Sequence, residues 1–210
     1  MTRVIALDFD GVILESNSAK TFAFAEVMRG FGPQASAAML SHHLENRGVS
    51  RYAKFDWFYR TFLDRDPTDG ELADLNSRFN TLSMEAILRA PFVAGVEDLL
   101  ERFSGRMPLY VVSGTPQPEI NQIVGARNLG RFFRKVLGTP VTKAEHLRNI
   151  LVWEKAAPDE VLMVGDADTD LNAALETGVR FYGRGDFPGH PCAPDLRGLP
   201  EFLGSCLETA

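Results

Sequence analysis

The chain has little cysteine, no excess of basic residues and no long apolar run, and each shortage removes a class of protein. Cys192 and Cys206 are the two cysteines in 210 residues, too few and too late for a disulfide framework or a zinc site. Lys and Arg number 22 against 28 Asp and Glu, a net charge of −6. That balance argues against nucleic acid as the main partner, because phosphate backbones select basic surfaces. No stretch approaches the roughly eighteen unbroken apolar residues of a membrane span, so no membrane partner is expected. The first apolar run is too short for a signal peptide and meets acids at once, which makes a reducing cytoplasm the expected compartment. Internal repeats and low-complexity tracts are absent too. What is present is ordinary globular composition, 45% hydrophobic and 24% charged. It suffices for one domain, or one domain carrying a smaller insert.

The organising stretch is Val4-Ile5-Ala6-Leu7-Asp8-Phe9-Asp10-Gly11-Val12. Its four leading apolar residues suit a strand buried on both faces. The run then ends in two carboxylates one residue apart, followed by glycine. Acids at i and i+2 project to the same side of an extended chain, where they repel unless a cation or a shared proton intervenes. Mg²⁺, which takes oxygen ligands and substrate phosphate together, meets that need. A plain Asx turn is the competing reading of these residues.

From residue 16 to about 90 no convincing strand appears. Residues 18–29, 35–46, 50–63 and 70–88 carry helical apolar spacing, broken at Phe31-Gly32-Pro33, Gly48 and Asp66-Pro67-Thr68-Asp69-Gly70. Phe55, Trp57, Phe58, Tyr59 and Phe62 read as the core of this helical block. Beyond Pro91 the pattern alternates. Helices are expected over 95–103, 117–126, 143–155 and 170–177, and strands over 109–112, 135–137, 161–164 and 179–182, with 183–195 as a surface loop. Arg184-Gly185-Asp186 within it reads as a chance tripeptide in a turn. Strands alternating with helices predict a parallel sheet covered on both faces. The predicted fold is therefore α/β, a Rossmann-like doubly wound parallel sheet with an inserted all-helical cap. Residues 1–15 and 90–210 form the core and 16–89 the cap, with hinges expected near Glu15-Ser16 and Ala90-Pro91.

Three strands end in polar chemistry: Asp8 and Asp10 after the first, Ser113 and Thr115 after the second, Asp166, Asp168 and Asp170 after a later one. Parallel strands bring such ends to one edge of a sheet. Helix capping accounts for one of the last three acids, not all. Lys143 stands at an expected helix start, where the helix dipole favours acids instead.

Together these residues resemble the haloacid dehalogenase superfamily of phosphotransferases. Asp8-Phe9-Asp10-Gly11-Val12 is similar to its Asp-x-Asp-Gly-[Val/Thr] signature, Val112-Ser113-Gly114-Thr115 to its second motif, and Lys143 to its third. Val164-Gly165-Asp166-Ala167-Asp168-Thr169-Asp170 resembles the fourth, Gly-Asp-x-x-x-Asp. The resemblance implies that Asp8 is a nucleophile forming an aspartyl-phosphate, and that Asp10 is the general acid and then the base. It implies Mg²⁺ held by Asp8, the Asp10 carbonyl and Asp166, supported by Asp170. Ser113, Gly114 and Lys143 would hold the transferring phosphoryl group, with Thr115 beside them.

Arg47-Gly48-Val49-Ser50-Arg51 resembles a substrate-reading cap loop of β-phosphoglucomutases. Arg47, Arg51 and Lys54 would form one basic face at helical spacing, against the plainer reading of a solvated helix with Ser50 as its cap. His42 and His43 read as surface or packing residues. Mutases and phosphoglycolate phosphatases of this subgroup usually carry Asp after the signature and a histidine downstream; here Glu15 and Lys20 stand in those places. A lysine there favours an anionic substrate over proton shuttling. The expectation is a Mg²⁺-dependent phosphatase of a small phosphorylated metabolite, a sugar phosphate or a phosphoglycolate-like acid. The alternatives are a phosphomutase and a non-catalytic phosphorylatable regulatory domain.

Overall fold

The computed structural model describes residues 1–205, which leaves Cys206 outside. The chain divides into two compact units, Met1–Glu15 with Pro91–Ala210, and Ser16–Ala90.

The first unit is built on six strands: β1 (Val4–Leu7), β2 (Leu109–Pro116), β3 (Lys135–Thr139), β4 (Val161–Gly165), β5 (Arg180–Arg184) and β6 (Cys192–Ala193). They lie in the order β3-β2-β1-β4-β5-β6, and every neighbouring pair is parallel. This is the doubly wound α/β arrangement that the alternating pattern predicts. β1 is central, with all four residues buried, which is why its sequence is a continuous apolar run rather than an alternating one. Val4 and Ala6 pack on one face with Val161 and Met163 of β4. The helices between the strands include α5 (Val96–Phe103), α6 (Gln117–Ala126), α7 (Lys143–Glu154) and α8 (Asp168–Thr177), and Ala144, Leu147 and Ile150 of α7 with Ala173 and Ala174 of α8 cover that face. The chain reverses direction across the sheet between β1 and β4, the point where ligands collect in such folds.

Several boundaries differ from expectation. β2 continues through Ser113-Gly114-Thr115 to Pro116, because the strand stays paired to β3 across a register shift. α8 begins at Asp168, two residues early. The stretch read as a surface loop contains β6 and buries Phe187 against Phe181. Arg184 ends β5 rather than sitting in a turn.

The second unit is all helical: α1 (Asn17–Met28), α2 (Pro33–Glu45), α3 (Arg51–Trp57) and α4 (Asp69–Arg89). Phe24, Val27 and Met28 of α1, Met39 of α2, Phe55 of α3 and Leu75 and Phe79 of α4 form its core. Each such side chain contributes about 2 kcal/mol by burial. Thr68 and Glu71 close a reciprocal cap on α4, Glu71 N–H to Thr68 Oγ1 at 3.3 Å and Thr68 N–H to Glu71 Oε2 at 2.9 Å. Ser50 caps α3, accepting from Ala53 N–H at 3.4 Å. The helix expected over 50–63 is α-helical only to Trp57, and Phe58–Phe62 forms a wider π turn. That turn keeps Phe58 and Tyr59 inside but leaves Phe62 41% exposed, so Phe62 is not core.

Candidate active site

The carboxyl end of β1 places Asp8 and Asp10 at the edge of the sheet. The chain turns back at once, with Gly11 at φ 75, a conformation glycine adopts without steric cost. Ile13 N–H returns to the Phe9 carbonyl at 2.9 Å. Asp8 is buried, and both of its oxygens are held: Oδ1 accepts from Phe9 N–H at 2.7 Å and Oδ2 from Lys143 Nζ at 2.9 Å. Lys143 also donates to Asp170 Oδ1 at 2.6 Å. Burial alone would pull the Lys143 pKa down, but the Asp170 and Asp8 carboxylates outweigh it and raise the pKa, so the ammonium keeps its proton.

Asp170 is fully buried. That burial, and after it the charge on Asp8, pushes its pKa up to about 8 against the pull of Lys143. One lysine therefore does not neutralise the carboxylates gathered here. One oxygen from each of Asp8, Asp166 and Asp170 lies within 4.8 Å of the others. An all-oxygen, net-negative set of this kind fits a hard divalent cation such as Mg²⁺. Asp170 is also locked by its own turn, Oδ2 accepting from Ala167 N–H at 3.2 Å. Gly165 leaves room for it: a Cβ there would lie 2.1 Å from the Asp170 Cβ. Asp168, the remaining acid of the motif, is exposed.

Asp10 points elsewhere. Its Oδ2 accepts from the Thr115 hydroxyl at 3.0 Å, and its carboxylate is not one of the clustered three. Ser113 Oγ accepts from Thr115 N–H at 3.0 Å, which leaves its own hydrogen to donate. Gly114, between them, is partly exposed. Thr115 thus holds both neighbours, a role its place in the motif did not reveal.

Sequence reasoning missed His146. Its Nε2–H donates to the Gly138 carbonyl at 2.9 Å, tying the start of α7 to the end of β3. The signal was its place one turn beyond Lys143, on the buried face shared with Leu147 and Ile150.

In the helical unit the expected basic residues are partly engaged by other side chains. Arg51 is buried, its Nε donating to Asn76 Oδ1 at 2.8 Å and its guanidinium 5.1 Å from the centre of the Phe79 ring. Lys54 is buried and donates to His43 Nδ1 at 2.9 Å. Arg47 is exposed in the turn after α2, and Lys20 is half-buried on α1. His42 stacks on Trp57 at 3.7 Å. Of the three, Arg51 is drawn off to Asn76 of α4, while Arg47 stays near enough to Lys54 to help lower its pKa.

Comparison with known proteins shows the family and the fold. Residues 5–183 match the family model of haloacid dehalogenase-like hydrolases. The chain belongs to that family. Among curated relatives it is similar to phosphoglycolate phosphatase 1 of Pseudomonas aeruginosa, 25% identical over 86% of this chain and 68% of that one. It is also similar to the phosphoglycolate phosphatase of Aliivibrio fischeri, 26% identical over 86% and 82%. Among solved structures, CbbY from Rhodobacter sphaeroides in complex with phosphate shares the fold, with a TM-score of 0.73, 18% identity and coverage of 95% and 96%. This haloacid dehalogenase-like chain is a phosphoric monoester hydrolase, and its acidic cluster is of the kind such enzymes use for Mg²⁺. No helix among the described residues is long and apolar enough to cross a membrane.

Proposed function

We propose that the protein is a Mg²⁺-dependent phosphatase of a small phosphorylated metabolite that works through an aspartyl-phosphate on Asp8. One observation carries the reading: a buried Asp8 carboxylate with both oxygens held, beside Asp166, Asp170 and Lys143. A carboxylate oriented this way attacks phosphorus without losing further freedom. The P–O ester bond breaks as the Asp8–phosphorus bond forms, and the leaving alkoxide takes a proton from Asp10. Asp10, now a base positioned by Thr115, removes a proton from water, which attacks phosphorus and releases Asp8. Ser113 Oγ–H, Gly114 N–H and Lys143 Nζ would donate to the phosphoryl oxygens. Mg²⁺, held by Asp8, Asp166, Asp170 and the Asp10 carbonyl, would supply charge neutralisation for an anion attacking an anion.

The similarity to phosphoglycolate phosphatases puts small phosphorylated acids first among the substrates to try, sugar phosphates second. The test is a phosphate-release screen over phosphorylated metabolites with Mg²⁺ and with EDTA, on the wild type and Asp8→Asn. Mg²⁺-dependent release that Asp8→Asn abolishes is the expected result. Retained turnover in Asp8→Asn would sink the covalent mechanism. Interconversion of glucose phosphates without release would replace the phosphatase with a mutase.

A further inference from the structure

Arg184 closes β5 and is anchored at both ends of its side chain. Its backbone pairs with Ala193 of β6, and its Nε donates to the Pro194 carbonyl at 3.2 Å. The far end crosses to the loop after β1. Nη1 donates to the Gly11 carbonyl at 2.8 Å and to Glu15 Oε2 at 3.0 Å, while Nη2 donates to Glu15 Oε1 at 2.6 Å. In the sheet β4 lies between β1 and β5, so the guanidinium spans the end of the strand that Asp166 follows. The side chain is 20% exposed, and Glu15 meets its charge as a two-pronged pair. A planar guanidinium favours that geometry, and the ammonium of a lysine cannot reproduce it.

A plain structural clamp accounts for the Glu15 half of this arrangement, not for the Gly11 half. Residues 13 and 15 are already fixed through their backbone, Val93 N–H reaching the Ile13 carbonyl at 3.1 Å and Glu15 N–H the Pro91 carbonyl at 2.9 Å. Gly11 follows Asp10 directly and stands in the left-handed region at φ 75. Its N–H donates to the Leu14 carbonyl at 2.8 Å, and its own carbonyl accepts from Arg184. A peptide unit is planar, so the Gly11 N–H and the Asp10 carbonyl turn together and point opposite ways. With Gly11 held on both sides, that peptide is kept from rotating and the Asp10 carbonyl keeps one direction. We infer that Arg184 is a positioning residue of the active site: by holding Gly11 it orients the Asp10 carbonyl that Mg²⁺ would use. It acts through the peptide, as the groups behind a metal ligand commonly do. The inference rests on the proposed phosphatase reading, and adds to it a residue from a strand that carries none of the four motifs.

Arg184→Lys keeps the charge and loses the fork. The full-length variant and the wild type are compared by calorimetric titration with Mg²⁺ alone, by phosphate release at saturating Mg²⁺, and by melting in EDTA. The expected result is a Mg²⁺ Kd raised about tenfold and a kcat lowered about tenfold, with KM changed less than about twofold. Methylguanidinium added to Arg184→Ala should restore part of the lost Mg²⁺ affinity. An arginine that served stability alone would lower the melting temperature and leave the Kd and kcat of the folded protein as they were. Should Arg184→Lys fail to fold, Glu15→Gln loosens the fork while sparing the Gly11 contact, and a Mg²⁺ Kd raised about threefold is expected there. A Kd and kcat within about twofold of the wild type, in whichever of the two variants folds, overturn the inference and leave the phosphatase reading standing. Wild-type protein that neither binds Mg²⁺ nor releases phosphate overturns both.

Discussion

Gly165 has no side chain because Asp170 occupies the space one would fill: a Cβ at 165 would stand 2.1 Å from the Asp170 Cβ and 2.6 Å from its Oδ2. The last residue of β4 and the first turn of α8 are thus fitted to each other, and the acid trio depends on the fit. Gly165→Ala is expected to lower kcat/KM by about a hundredfold or more, since a carboxylate displaced by an ångström no longer meets its partners. Steady-state kinetics beside a melting curve checks this. Activity within a few-fold of the wild type would mean that Asp170 does not need its place.

Thr115 helps to aim Asp10 through its hydroxyl. Thr115→Val keeps the shape and removes the donor, so kcat should fall about tenfold while KM changes little, as one neutral-to-charged hydrogen bond is lost. An unchanged kcat would show that Asp10 is positioned by something else.

Three carboxylates facing one lysine leave negative charge that a divalent cation relieves. Mg²⁺ at about a hundredfold above its Kd should stabilise the chain by about 2.7 kcal/mol, a rise of several degrees in Tm that EDTA reverses. Asp166→Asn should lose most of that rise. A melting temperature indifferent to Mg²⁺ in the wild type would remove the metal from the reading.

Lys54 sets a pH dependence of stability. Its folded pKa of about 7 lies below the ordinary value of 10.5. Between those values the unfolded chain holds a proton that the folded chain has released, so stability rises with pH across that window. Below pH 7 both states hold the proton, and the full penalty of a buried charge is present. Lys54→Met should therefore raise Tm most near pH 6 in a buffer free of multivalent anions, and the gain should shrink towards pH 10. A gain of the same size at both pH values would contradict this.

The acids at the ends of β1 and β4 were legible because each closes an unbroken apolar run, and a buried strand seldom ends in charge unless something binds that charge. The parallel sheet followed from alternation; the order of its strands did not. What was not legible depends on partners far away in sequence. Asn76 captures Arg51 from another helix, and no spacing within α3 announces it. Arg184 looked like part of a turn, yet it donates to the Gly11 carbonyl at 2.8 Å and forks onto both oxygens of Glu15 at 3.0 and 2.6 Å. Its partners precede it by more than 160 residues, so local pattern carries no trace of the pairing. The two-residue β6 is too short for any periodicity to register, and the π turn at Phe58–Phe62 breaks the 3.6-residue spacing on which the assignment of Phe62 to the core relied.

The chain leaves the first unit after Glu15 and returns at Pro91, and these two residues are bonded directly, Glu15 N–H to the Pro91 carbonyl at 2.9 Å. Leu14 and Phe92 continue the pairing as an antiparallel bridge, and Val93 N–H reaches the Ile13 carbonyl at 3.1 Å. The exit and the return therefore form one small ladder that belongs wholly to the sheet domain. For that domain, the seventy-five residues from Ser16 to Ala90 are a hairpin loop whose length the ladder does not register. A modular enzyme follows from this: exchanging everything between Glu15 and Pro91 for another folded segment, or for a short turn, leaves both ends of the splice where the sheet already holds them.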